Sequence, residues 1–445
     1  MSMKKELLLE IVADQRNIVV RNNLVKRESF CIDEKSSFIQ IFSGIRRSGK
    51  STLLQVIRQN STEQDYYFNF DDDRLISFNL EDFQMLYEIF LEQFGEQKTF
   101  YFDEIQNIPN WEKFVRRLHD YGHKIFITGS NANLLSSELG TRLTGRYLQT
   151  EIFPFSFSEF LQLKNKIAIP KLFSSVEKMK FKDLFIQFQE QGGFPEFLQT
   201  QNIDYLHSLY EGILYRDILT RYKLPFEKPL RELVQFCASN IGKLVSYNKL
   251  KTLIGLSNAN SVKEYLYYLE QSYLFFSISR FDYSLKKQAA ANKKIYCIDN
   301  KLASEIGFRS SSDEGRFLEN TVFLELRRSY KNIFYHKDNF ECDFLIQEKN
   351  TITQAVQVCL LLHEENKKRE LGGIIEACKA YKLKEGIILS LEQEESFIEQ
   401  GVNIRITPVW KWLLRKNYDN KITASFDVST KEGKEKCLQG FKNLM

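Results

Sequence analysis

The stretch Gly44-Ile45-Arg46-Arg47-Ser48-Gly49-Lys50-Ser51 satisfies the pattern G-x-x-x-x-G-K-[ST]. It stands between a short apolar run, "FIQIFSG", and the helical pattern "KSTLLQVIRQ". This arrangement suits phosphate binding: glycines let backbone N–H groups curl around a β-phosphate, and the following helix adds the positive field of its N-terminus. Lys50 is expected to reach the β- and γ-phosphates and Ser51 to ligate Mg2+, with Thr52 completing the nucleotide-contacting set. Further along, "TFYFDEIQ" ends an apolar run in Asp103, a carboxylate able to hold Mg2+ through water. Glu104 follows it as an acid placed to polarise the attacking water. "FITGSNANLL" ends another strand in Thr128, Ser130 and Asn131, where a polar side chain, Asn131 in the catalytic set, can sense a γ-phosphate. In "GTRLTGRY", Arg142 and Arg146 are candidate charge stabilisers, acting in cis or across a subunit interface, or else surface ion pairs. The site read from these residues takes ATP and Mg2+, with Lys50, Glu104, Asn131 and Arg146 as its catalytic residues.

A second constellation lies near the C-terminus. An acid on one strand facing an acid-x-Lys pair on the next is a common way to hold a divalent metal for phosphodiester cleavage. Here "ECDFLIQEKNTITQAVQVCL" supplies Asp343, but the paired positions are Gln357 and Cys359, and Glu319 in the preceding helix "RFLENTVFLEL" supplies a further acid, with Glu325 beside it. An amide oxygen can still ligate a hard cation, without charge. A neutral thiol cannot replace the positive charge of a lysine. Lys349, Lys367 and Lys368 are the lysines near enough in sequence to have taken over that role. The expectation is a degenerate nuclease site, Glu319, Asp343 and Gln357, without cleavage.

The elements that must position these residues follow from periodicity. From residue 38 to about 131, short apolar strands alternate with amphipathic helices, which predicts a parallel sheet covered on both faces within a first domain, 1–161. A helical segment, 162–228, follows. Three helices and a strand pair then predict a winged-helix domain over 229–300. Its third helix lacks the Arg and Lys density of a groove reader, so a DNA contact would fall to Lys286, Lys287, Lys293 and Lys294 on the wing. The alternative is a docking module with solvated lysines. A mixed α/β domain spans 301–415, and 416–445 is a polar tail.

Composition narrows the classes. Net charge is +4, too small for a global basic field, so any nucleic-acid contact must be a local patch. The seven cysteines contain no Cys-x-x-Cys pair, which argues for reduced thiols in a cytoplasmic protein over zinc or disulfides. Signal-peptide and membrane-span patterns are absent from the sequence.

Taken together, "FSGIRRSGKSTLL", "YFDEIQNIPNWEKFVRRL", "ITGSNANLLSSEL", "FPFSFSEFL", "GGFPEFL", "LYRDIL", "RFLENTVFLEL", "ECDFLI" and "KRELGGIIEACK" resemble, in order, a family of bacterial and archaeal AAA-type ATPases with a DUF4143 C-terminal region. The resemblance runs from roughly residue 20 to 415. It implies an α/β fold: an AAA-like P-loop NTPase sheet, a helical and winged-helix region, and a domain similar to the PD-(D/E)xK nuclease fold. It leaves open a DNA-linked ATPase, an ATP-dependent switch binding a protein partner, and an oligomeric assembly.

Overall fold

A computed structural model describes residues 3–16, 24–27, 36–61, 65–132, 143, 145–164, 169–170, 172–224, 227–308 and 313–414. The chain forms two compact units. The first comprises residues 1–154, 208–224 and 268–274, and the second 155–207, 225–267 and 275–445.

In the first unit, β1 (Ile39–Ser43), β2 (Asp65–Asn69), β3 (Thr99–Asp103), β4 (Lys124–Gly129) and β5 (Tyr147–Glu151) form one sheet in the order β2-β3-β4-β1-β5. Every pairing is parallel, as the alternation of strands and helices predicts. Helices α1 (Lys5–Arg16), α2 (Lys50–Asn60), α3 (Asp82–Phe94) and α4 (Trp111–Asp120) supply the covering layers. Strand alternation sorts the core into two faces. Ile39, Ile41, Tyr66, Phe68, Phe100, Phe102, Ile125 and Ile127 pack with residues of α1, α3 and α4. Phe42, Tyr67, Tyr101 and Phe126, each out of phase with those, pack with Leu53, Leu54 and Ile57 of α2. Both faces are dry, so each strand reads as a continuous apolar run, with about 1.5–3 kcal/mol of transfer free energy behind each fully buried large side chain.

In the second unit, β6 (Leu244–Val245), β7 (Phe275–Arg280), β8 (Lys293–Cys297), β9 (Ile333–Lys337), β10 (Glu341–Glu348), β11 (Thr351–Val358), β12 (Glu385–Ser390), β13 (Glu395–Glu399) and β14 (Val402–Pro408) make a mixed sheet. Its order is β13-β14-β12-β11-β10-β9-β7-β8-β6. The expected domain boundary at 300/301 therefore falls inside one sheet. The helices Glu227–Ser239, Tyr247–Leu253 and Ala259–Gln271 and the pair β7–β8 all form, but β7 hydrogen-bonds in parallel to β9, so the strand pair is part of a larger sheet and not a free wing. The first segment of the first unit ends at 154, and 208–224 returns to that unit. The β10–β11 hairpin forms as expected. Its two-residue turn, Lys349 and Asn350, has φ of 46° and 67°, the pair of left-handed residues that matches strand twist.

No described helix is long and apolar enough to cross a membrane. The five described cysteines, 237, 297, 342, 359 and 378, are free and buried.

Candidate active site

All five strands of the first sheet run the same way, so their C-terminal ends share one edge. Parity then decides what meets there. Asp103 is in phase with Tyr101, and Thr128 with Phe126, so both project onto the face that α2 covers. Ser51, in the first turn of α2, donates from Oγ to Asp103 Oδ1 at 3.0 Å, and Thr128 Oγ1 donates to the same oxygen. The Tyr67 hydroxyl donates to Asp103 Oδ2 at 3.3 Å. A hydroxyl and a buried carboxylate this close offer the hard oxygen donors that Mg2+ prefers. Burial, with the charge of Glu104 added, pushes the Asp103 carboxyl up to about 6.

Glu104 behaves oppositely. Burial alone would raise it, but Lys50 and Arg46 outweigh that and hold its carboxyl below the ordinary value. Lys50 Nζ lies 3.6 Å from Glu104 Oε1 and donates to the Ile45 carbonyl at 3.0 Å. Glu104 has a φ of 52°, a left-handed conformation uncommon for a side chain of this kind. Its N–H donates to Thr128 Oγ1 at 2.9 Å, while Gln106 Nε2 donates to its carboxylate and to Ser130 Oγ, the latter at 3.3 Å. The two neighbouring acids are thus pushed in opposite directions.

The loop between β1 and α2 is shaped by sterics. A Cβ on Gly44 would sit 2.1 Å from the Ile152 carbonyl oxygen, and Gly49 has a φ of 96°. Arg27, which sequence reading did not single out, braces the turn: Nη1 donates to the Ser48 carbonyl at 2.9 Å and Nη2 to the Phe153 carbonyl at 2.5 Å. Asn131 is buried one residue past Ser130.

Arg146 is the residue whose placement differs most from expectation. It immediately precedes β5, whose Tyr147 is in register with Ile39, and its carbonyl accepts from Ile39 N at 2.9 Å. This is the N-terminal end of β1, about 17 Å along the chain from Gly44 of the phosphate loop at a rise near 3.3 Å per residue. Its guanidinium lies 3.1 Å from Asp120. A cis role in hydrolysis is therefore corrected to an ion pair at the far edge of the sheet. Arg142 lies outside the described residues.

The second unit carries a cleft of about 780 Å³ whose lining includes Glu319, Glu341, Asp343, Gln357, Cys359 and Glu370. A β-bulge between Cys342 and Leu345 re-aims the strand here. The cation that faces Asp343 comes from β8. Lys294 Nζ lies 2.8 Å from Asp343, 2.9 Å from Glu341 and 3.1 Å from Glu319. Burial opposes the charge of Lys294, but Asp343 and Glu319 overcome it and hold the ammonium well above its ordinary range. None of the lysines near enough in sequence to substitute does so: Lys349 is in the hairpin turn, Lys367 pairs with Glu364 on the surface, and Lys368 is exposed. Gln357 donates to Glu370 Oε2 at 2.6 Å and accepts from Asp343 N at 3.2 Å. Burial and Glu370 push the Cys359 thiol up to about 12, so it is neutral near pH 7.

The four lysines expected on a wing divide in two. Lys286 and Lys287 are exposed on the short helix Leu285–Ala290, whereas Lys293 and Lys294 are buried in β8. Strand pairing with β7 turned them inward, which a reading of the local charge run could not show.

Removing the Lys294 charge should be costly. In Lys294→Met three carboxylates lose their shared partner, and a loss of about 3–5 kcal/mol in denaturant-unfolding stability is expected at about pH 8. Glu319 already sits at about 7, raised by burial and by Asp343. Without Lys294 the native acids bind protons more tightly than the unfolded chain does, so the deficit should shrink as pH falls through 7. An equal deficit at about pH 5 and about pH 8 would mean the network is not electrostatic in origin.

Residues 36–161 match the AAA_14 family, an AAA domain, and residues 182–312 match a domain of unknown function, DUF8612. The family matched after the AAA domain is thus DUF8612, where DUF4143 was expected. The chain is 36% identical over 433 residues to the uncharacterized protein MJ1544 of Methanocaldococcus jannaschii, covering 92% of this chain and 96% of that one. It is 31% identical to an uncharacterized protein of Haemophilus influenzae, covering 85% and 95%. Among solved structures, the Thermotoga maritima RuvB Holliday junction branch migration motor is similar over 55% of this chain and 82% of its own, at 15% identity and a TM-score of 0.27. A structure of Drosophila ORC bound to AT-rich DNA and Cdc6 is similar over 60% and 85%, at 12% identity and a TM-score of 0.19. Scores this low carry nothing about partners or assembly. With an AAA-type P-loop ATPase domain at residues 36–161, the chain belongs to the family of these archaeal and bacterial proteins, which it matches along nearly its whole length.

Proposed function

We propose that this protein is a Mg2+-dependent ATP hydrolase. The observation that carries the reading is the convergence, at one sheet edge, of Ser51 on Asp103 at 3.0 Å and of Lys50 on Glu104 at 3.6 Å. When ATP is bound, the residues from Gly44 to Thr52 cradle its phosphates, Ser51 and Asp103 hold the metal, and Glu104 takes the proton of the attacking water. Asn131, buried one residue past Ser130, is assigned as sensor of the γ-phosphate.

For the output of hydrolysis, burial of Lys293 and Lys294 favours a switch or scaffold acting on a protein partner over a DNA-coupled motor. Half of the basic patch proposed for phosphate contacts is spent inside the second unit. The C-terminal cleft fits the same reading, because an ammonium occupies the centre of its acids. The test is ATP hydrolysis by the purified full chain with Mg2+ or with EDTA, each with and without plasmid DNA, the DNA then run on a gel. Expected are turnover that EDTA abolishes, a rate indifferent to DNA, and uncut plasmid. Stimulation by DNA that weakens steeply with salt would restore the DNA-coupled reading.

A further inference from the structure

The first unit holds a charge network around the Arg46 side chain to which the hydrolysis scheme above gives no part in the chemical step. Arg46, within the phosphate loop, is gripped on two atoms: its Nε lies 3.1 Å from Asp217 Oδ2 and its Nη2 lies 3.3 Å from Asp217 Oδ1. The Asp217 side chain is 4% exposed and that of Arg46 18%. Asp217 belongs to a π-helix, Ile213–Thr220, a rare backbone form that concentrates at functional sites. The preceding residue of that helix, Arg216, donates from Nη2 to Asp71 Oδ1 at 2.7 Å, and Asp71 Oδ2 in turn lies 3.9 Å from Arg46 Nη1. Asp71 follows β2 at the edge where Asp103 ends β3. Charges therefore alternate in a chain, Asp217, Arg46, Asp71, Arg216, around one guanidinium.

We propose that Arg46 is the in-chain arginine that stabilises charge during hydrolysis, and that Asp217 is the positioning residue that aims it; the proposal rests on ATP hydrolysis at this loop. An arginine at the phosphates loses much of its value if its long side chain must be ordered at the moment of reaction. A buried bidentate carboxylate does that ordering in advance, and the planar fork fixes direction as well as distance. Arg46 stands on the phosphate loop itself, four residues before Lys50. Arg146, expected from the sequence, does not fill this position within its own chain, because it sits at the opposite end of β1.

The experiment compares steady-state ATP hydrolysis and binding of a fluorescent ATP analogue for wild type, Arg46→Ala, Asp217→Asn and the double variant, with thermal melts on all four. Arg46→Ala should lower kcat about 100-fold or more, in line with loss of an aimed donor, and Asp217→Asn about 10-fold or more. Analogue affinity should change less than about 3-fold in Asp217→Asn, because a group that only aims Arg46 affects turnover before binding. The double variant should be no slower than Arg46→Ala alone, since both changes break one interaction. If Asp217→Asn does not fold, Arg46→Lys decides: it keeps the charge, loses the fork, and should fall in kcat like Asp217→Asn. A normal kcat in the deciding variant, or losses in the double variant that multiply, would overturn the proposal. A wild-type protein that hydrolyses no ATP, or an active Glu104→Gln, would instead overturn the underlying assignment of the hydrolysis site.

Discussion

Lys50→Ala is expected to abolish tight ATP binding, and hydrolysis with it. The Lys50 ammonium is buried, fixed by the Ile45 carbonyl at 3.0 Å, and stands at the start of α2, where the proposed site takes the phosphates. It brings three donors and a full charge to two phosphates. At about 1.5–3 kcal/mol for each charged hydrogen bond, its loss should weaken ATP binding by about 100-fold or more. Titration with a fluorescent ATP analogue measures this, and a thermal melt guards against misfolding. The guard matters because the variant also leaves Glu104 without its nearest cation. A folded variant with wild-type affinity would exclude the phosphate loop as the nucleotide site.

Glu104→Gln should separate binding from turnover. The side chain keeps its shape and its contact with Gln106, and loses the charge and the basicity. Nucleotide affinity should hold within a few-fold, or tighten, because a negative charge next to the phosphates has gone. The rate of hydrolysis should fall by about 100- to 10,000-fold, the range associated with general base catalysis. Because Lys50 and Arg46 keep Glu104 ionised, the base form is present well below neutral pH, and the loss should be seen across the accessible range. Single-turnover hydrolysis measures the chemical step directly. A variant that turns over at the normal rate would remove Glu104 from the mechanism.

The two sites differ in how far they could be read from residue order. In the first, Gly44 to Ser51 joins consecutive elements, and Asp103 ends β3, which β4 separates from β1 in the sheet. The same strand alternation that makes Phe102 face one layer makes Asp103 face α2, and the strand order then brings Ser51 to it. In the C-terminal site the hairpin and its acid were equally legible, since Lys349 and Asn350 make a two-residue turn and Gln357 lies opposite Asp343. The lysine was not. It arrives from a strand 49 residues earlier, whose charge run reads as a solvated turn until pairing with β7 turns Lys294 inward.

Residue order by itself determined the chemistry that rests on neighbours in the chain: the phosphate loop, the Asp103–Glu104 pair and the parallel sheet that carries them. Periodicity and motif spacing are local quantities, and a βα turn realises them wherever it folds. Tertiary structure alone decided that Asp217 grips Arg46 across 171 residues, that Arg146 lies at the wrong end of β1 to help hydrolysis in cis, and that Lys294 and not a neighbouring lysine balances Asp343. Those outcomes depend on strand order, on a bulge and on which face a paired strand presents. Each of these is a global choice of packing that no short stretch of residues encodes.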